Sequence, residues 1–187
     1  MSRKTTPLLA ATAFAVLLLA DAPAFAGTAS KTFNATASVA AKCVMSNIAN
    51  LDFGSYDPVV NNASTDLPGN TTFTLTCTKN ASPVITMSLA NVNFGQGLAA
   101  KRSMNNGTAA PGNYLSYDLY VPNGVGAPAT ATPTASLWGD DSGGTTHFGP
   151  SVPSVAAQTI TIFGAVTAGQ DVPVGAYTDS VTATVNF

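Results

Sequence analysis

The chain of 187 residues carries seven basic and nine acidic side chains, every acid an aspartate, for a net charge of −2. So weak and slightly acidic a balance offers no electrostatic footprint for nucleic acid or an anionic membrane surface. Rich in Thr, Val, Ala, Ser, Asn, Gly and Pro and without a single glutamate, the composition favours strands and turns over helices.

Residues 1–26 combine a basic start (Arg3, Lys4), an apolar run from Leu8 to Ala20 and a closing Ala24-Phe25-Ala26. Those parts in that order make a secretory signal peptide, with cleavage expected between Ala26 and Gly27. The apolar run falls short of the roughly 20 residues that a bilayer span takes. No later stretch is long and apolar enough to anchor the chain, so membrane insertion is not expected. An exported chain starting at Gly27 is expected, with an arm at 27–42 ahead of one domain at 43–187.

Within the arm, Phe33, Ala35, Ala37, Val39, Ala41 and Cys43 alternate with Thr32, Asn34, Thr36, Ser38 and Lys42, and Ala40 alone breaks the period. A period of two is the pattern of a half-buried strand over 32–43. Its apolar face needs a core. That core is either the domain's own, the arm serving as a first strand, or that of a neighbouring copy. Cys43 and Cys77, in an oxidising compartment, are expected to form one disulfide. Two sulfurs and the lone histidine, His147, are too few for a metal site.

Farther on, 50–58 reads as a short strand with Leu51 and Phe53 on one face, ended by Pro58. A polar loop is expected over 61–70, where Asp66, Pro68 and Gly69 suit turn geometry. Strands follow at 71–78 (Phe73, Leu75 and Cys77 on one face) and 84–90 (Ile85, Met87, Leu89), separated by a turn at 79–83. Residues 91–112 are loose and glycine-rich, with Lys101 and Arg102 in a solvated loop. Strand character resumes at 114–121 and 158–166, with loops at 124–134 and 139–144 and a turn at 168–170 between and after them. The last strand, 177–187, puts Tyr177, Asp179, Val181, Ala183, Val185 and Phe187 on one face and is expected to run unblunted to its end. Seven or so short strands with turns between them spell an all-β sandwich.

Several of these stretches occur together and in order. They are Cys43 behind its alternating arm, Leu51-Asp52-Phe53-Gly54-Ser55-Tyr56-Asp57, Cys77, Tyr114-Leu115-Ser116-Tyr117-Asp118-Leu119-Tyr120, Trp138-Gly139-Asp140, Ile162-Phe163-Gly164-Ala165-Val166 and the ending from Gly175 to Phe187. The set resembles the spore coat protein U domain, found in pilins of archaic chaperone–usher pili, across essentially all of 27–187. The resemblance implies an immunoglobulin-like β-sandwich lacking one strand. A periplasmic chaperone fills the gap during export, and an outer-membrane usher exchanges it for the arm of the next subunit, by strand addition. Carried onto this chain, Phe33, Ala35, Ala37 and Val39 become the inserted side chains. Val181, Ala183, Val185 and Phe187 become the acceptor groove, with Phe187 and its carboxylate a handle for the chaperone. Partners are then other copies or related subunits, the chaperone and the usher, and the destination is the cell surface. The donor face is mostly alanine, which leaves Phe33 and Val39 as its anchors.

The function expected is a structural pilus subunit, polymerised by donor-strand exchange and serving attachment or biofilm formation, without a cofactor. Two rivals share the fold: a spore or cell-surface coat protein, and a tip adhesin that grips a surface or sugar. Asp141-Ser142-Gly143-Gly144 is similar to the nucleophile loop of trypsin-like proteases, but a serine nucleophile needs a base and an orienting carboxylate. His147, five residues on, is misplaced for that family, and Asp140 breaks the motif, so these residues read as a turn rather than an enzyme's site. Side-chain oxygens at calcium-loop spacing are also missing. The lone Trp138 is expected in the core.

Overall fold

An alternating segment becomes a strand where a neighbour takes up its backbone hydrogen bonds. Eight segments find one among the described residues, and no helix forms: β1 (Cys43–Met45), β2 (Leu67–Cys77), β3 (Val84–Met87), β4 (Arg102–Asn105), β5 (Tyr114–Pro122), β6 (Pro133–Leu137), β7 (Gln158–Val166) and β8 (Ala183–Asn186). The computed structural model describes residues 27–89, 102–108, 110 and 112–187. The chain divides into two units, Met1–Ala37 and Ser38–Phe187. The expected signal peptide, 1–26, lies outside the described residues, as does most of the loose stretch at 91–112. In the first unit, residues 27–37 form no regular element and are exposed.

In the second unit, six strands make an antiparallel sheet in the order β1-β2-β7-β5-β4, with β6 also paired to β5. β3 and β8 make a second, two-stranded antiparallel sheet. Both sheets send side chains into one core. Phe73, Leu75 and Cys77 of β2, Leu115, Tyr117 and Leu119 of β5, and Ile160, Ile162 and Val166 of β7 meet Ile85 and Met87 of β3. Trp138 joins them, fully buried, its indole N–H donating to the Ile85 carbonyl at 2.8 Å and its ring edge-on to Phe148. This is the expected sandwich.

Over β5 and the middle of β7 the far face of the large sheet is covered as well, which alternation alone does not reveal. Thr161 is fully buried there, its hydroxyl donating to the Gly126 carbonyl at 2.7 Å. Past the end of β7, the Gln170 side chain continues the ladder beside β5. Its Oε1 accepts from the Ser116 N–H and its Nε2 donates to the Ser116 carbonyl. Tyr56 holds this corner, donating to the Thr167 carbonyl and accepting from the Gln170 N–H. A buried backbone group must be paired, and here a side-chain amide does it.

Several expectations are corrected. The strand expected over 32–43 survives within this chain as β1 alone, beginning at Cys43; residues 38–42 are exposed and carry no ladder. Leu51 and Phe53 do share a face, but 50–58 is not a strand. Part of the expected loop at 61–70 is the start of β2, since Leu67–Asn70 pair with Phe163–Val166. Pro68 is tolerated because β1 reaches just Leu75–Cys77, leaving β2 an edge strand at that point. Arg102 is no solvated loop residue. It opens β4, is 3% exposed, and its guanidinium donates to the carbonyls of Trp138, Ser88 and Met87. The last strand is shorter than expected, Ala183–Asn186, although Thr178 forms an isolated bridge with Asn105.

Cys43 and Cys77 stand directly opposite each other in the β1–β2 register and are bonded. Gly69 and Gly164, also register partners, leave a slot between them that Phe53 and Leu51 fill. A Cβ at Gly69 would lie 2.7 Å from a Phe53 ring carbon, and one at Gly164 2.9 Å from another.

Two stability predictions result. Replacing both cysteines with alanine removes a cross-link over 34 residues and should lower unfolding free energy by about 3–4 kcal/mol in the chain-entropy model, read from urea midpoints. Gly69→Val should lower it by about 1–3 kcal/mol, as overpacking does. Phe53→Ala in the Gly69→Val background should recover part of that loss; strict additivity in the double variant would refute the slot.

Candidate functional site: an unpaired strand edge

β8 has one ladder neighbour among the described residues. It pairs with β3 from Val84↔Asn186 to Met87↔Ala183, and its other edge has no ladder. β3, by contrast, is occupied on both sides, because Ile85 also exchanges two backbone hydrogen bonds with Phe148. An open edge presents unpaired N–H and C=O groups in register with whatever strand arrives.

The side chains along that edge are not fully covered. From 177 to 186 burial alternates: Tyr177, Asp179, Val181, Ala183 and Val185 are half-buried against the core, and the residues between them are exposed. Phe187, in phase with them, is 58% exposed. A second half-buried row runs along the segment after β1, through Ile48, Leu51, Phe53 and Tyr56. That segment follows β2 beyond the β1 ladder through one backbone bond, Ser46 N–H to the Thr74 carbonyl, and two side-chain bonds: Thr71 donates to the Ala49 carbonyl and the Ser46 hydroxyl accepts from the Thr74 N–H.

Tyr117 touches both rows. Its ring meets Phe53 edge-on with centroids 5.7 Å apart, and its hydroxyl donates to Asp179 Oδ2 at 2.6 Å. Burial, then the Asp179 carboxylate, push the phenol far above its ordinary pKa, so it remains a donor throughout the physiological range. Burial pulls the nearby Arg102 guanidinium below its ordinary value, while charges including Asp118, Asp179 and Asp140 oppose that shift. A buried cation of this kind holds its neighbours in place through the hydrogen bonds that offset its desolvation.

The residues singled out from the sequence fall in three places. Val181, Ala183 and Val185 form the half-buried row and Phe187 lies at its end. Phe33 and Val39 are 88% and 85% exposed; Ala35 and Ala37 between them are exposed too, as is Gly27, whereas Ala26 is outside the described residues. Cys43 and Cys77 are bonded to each other. Sequence reasoning missed the Tyr117–Asp179 bond and the burial of Arg102. The phase of Tyr117 with Leu115 and Leu119 was a signal that it faces the core; nothing local marked its partner 62 residues away.

The loop at 139–144 is a hydrogen-bonded turn, with Asp141, Gly143 and Gly144 at positive φ. Ser142 Oγ donates to Asp140 Oδ1 at 2.6 Å, and the His147 ring nitrogen lies within 2.9 Å of both Asp141 carboxylate oxygens. The hydroxyl and the imidazole therefore face different carboxylates, which is not a relay geometry. Among the described residues no three His, Cys, Asp or Glu side chains group to hold a metal.

Comparison with known proteins places the chain. Its residues 29–184 match the family model of the Spore Coat Protein U domain. It is 34% identical to Protein U of Myxococcus xanthus over 194 residues, covering 96% of each chain. Among solved structures it is similar in fold to a chain of the CsuC–CsuE chaperone–tip adhesion subunit pre-assembly complex from archaic chaperone–usher Csu pili of Acinetobacter baumannii. The TM-score is 0.50 at 17% identity over 80% of this chain, which spans 40% of the length of that one. The fold is thus all-β and immunoglobulin-like, and the chain belongs to the Spore Coat Protein U domain family.

Proposed function

We propose that this protein is an exported structural subunit of a chaperone–usher pilus, built into a fibre by strand exchange between copies. The observation that carries the reading is a pair of unmet needs. The open edge of β8 has a half-buried apolar row beside it, and an alternating segment with exposed Phe33 and Val39 has no ladder. Donor and acceptor match in length. Phe33 to Val39 and Val181 to Phe187 each place four side chains on one face over seven residues. In this reading the 27–42 arm of a second copy lies along β8 of the first, backbone bonds supplying affinity and Phe33 and Val39 filling its ends. Burying each anchor contributes about 1.5–3 kcal/mol; Ala35 and Ala37 add less and serve to fit a shallow surface.

Until the arm arrives, an exposed edge invites wrong pairings. A periplasmic chaperone covering it, with Phe187 at the contact, and an outer-membrane usher exchanging it for the arm fit that need. The signal segment delivers the chain to that route, and the fibre's place is the cell surface, in attachment and biofilm formation. The role is mechanical, and no catalytic step is assigned. The family description and the match to Protein U favour a second reading, in which the same strand exchange builds a cell or spore coat without an usher.

Deleting residues 27–41 tests the exchange. The shortened chain should stay monomeric and still take up an added arm, while the unshortened chain forms ladders of subunits resistant to mild denaturant. Equal ladders from both would sink the proposal. Co-expression with chaperone and usher genes beside this one separates pilus from coat: surface fibres should need both genes in the first case and neither in the second.

A further inference from the structure

Resting on the strand-acceptor reading above, we infer that Tyr117 is a positioning residue that sets the spacing between the two rows flanking the acceptor surface and so tunes which strand is taken. Tyr117 is 3% exposed, so an incoming strand does not meet it directly; it acts through what it holds. On one side its ring braces Phe53, which is seated in the Gly69–Gly164 slot and cannot retreat without vacating it. On the other, its hydroxyl holds Asp179, two residues before Val181 and in phase with Val181, Ala183 and Val185.

The phenol is thus a strut of fixed length between the segment after β1 and the approach to β8. Its base is equally fixed, since Tyr117 pairs with Val166 of β7 and with Arg102 of β4 in the same sheet. Arg102 in turn ties down the carbonyls of Met87 and Ser88 at the end of β3, the strand that carries β8. The side-chain ties thus gather over the Asp179–Ala183 half of the row, whereas the Phe187 end has its backbone ladder to β3 and leaves Phe187 58% exposed. The two ends should discriminate differently. The Asp179 end fits one anchor side chain closely, and the Phe187 end accepts the other loosely.

Tyr117→Phe keeps the ring on Phe53 and removes the one hydroxyl. The test uses the chain from residue 27 onward, kept dilute and monomeric, and a fluorescent peptide of residues 27–42 with its Phe33→Ala and Val39→Ala versions. On the wild type, each alanine peptide should be captured about 10-fold or more weakly, as the loss of a buried large side chain implies. On Tyr117→Phe, discrimination against one of the two alanine peptides should shrink to about 3-fold or less while the other persists. Phe53→Leu, which loosens the strut from the opposite wall, should shrink the same one. A merely structural role would weaken all three peptides by a common factor and leave both ratios unchanged. That result, with the wild type still capturing the peptide, overturns the inference and leaves the exchange reading standing. Failure of the wild type to capture the peptide at all overturns both. Near-ultraviolet circular dichroism identifies a variant that has lost its fold, in which case the remaining variant decides.

Discussion

A strand of eleven residues held along nine of them by one neighbour has little freedom left, and β2 on β7 is that strand. Its register sets the rest. It places Phe73, Leu75 and Cys77 toward Ile160, Ile162 and β3, brings Gly69 opposite Gly164, and puts Cys77 where Cys43 can reach it. A one-residue slip would turn each of those side chains to the other face. It would also close the glycine slot on Phe53, and with it the path from Tyr117 to the segment after β1. The covalent bridge therefore locks β1 to one end of β2, and the slot locks β2 to β7 near the other.

The two sheets differ in how completely they are satisfied. In the large sheet β5 and the middle of β7 are backed on both faces, with Thr161 under the Gly126 loop, and Gln170 extends the ladder beside Ser116. The small sheet is two strands wide, and two strands alone are marginal in water. β3 gains from Phe148 and from the Arg102 bonds at its end, whereas β8 draws support from β3 and the core beneath. Stability is thus concentrated around β2, β7 and β5 and is least at the edge that the proposed exchange would use. Elements that must accept a partner belong at that low-stability end.

What could be read from the sequence followed the strength of the local pattern. β7 was legible to the residue, because Gln158–Val166 alternates between two clear turns, and β5 to within one. The class of fold and the Cys43–Cys77 bond were legible for the same reason: each rests on a period, a composition or a compartment. The rest depended on partners. Thr32–Cys43 has the strongest alternation in the chain, yet a strand is a relation between two segments, and its pattern does not name the second. Leu51 and Phe53 share a face as read, but they fill a gap left by two distant glycines instead of joining a ladder. Arg102 looked solvated because charge ordinarily is; its burial is decided by carbonyls at Met87, Ser88 and Trp138, which no short window contains. The row from Val181 to Val185 was legible as alternation, its half-exposure was not, and the Tyr117–Asp179 bond spans 62 residues.

The bridge between Cys43 and Cys77 sits at the root of the leading segment, where Ala40 and Lys42 are tethered to Thr78 by hydrogen bonds alone. A pull on that segment first meets β1, three residues long, which hydrogen bonds would surrender one at a time, as a zipper opens. The sulfur–sulfur bond denies that route. Load passes instead into the end of β2 and along its nine paired residues, which must slide together or not at all. A filament strung from such units would resist shear where it could otherwise have peeled.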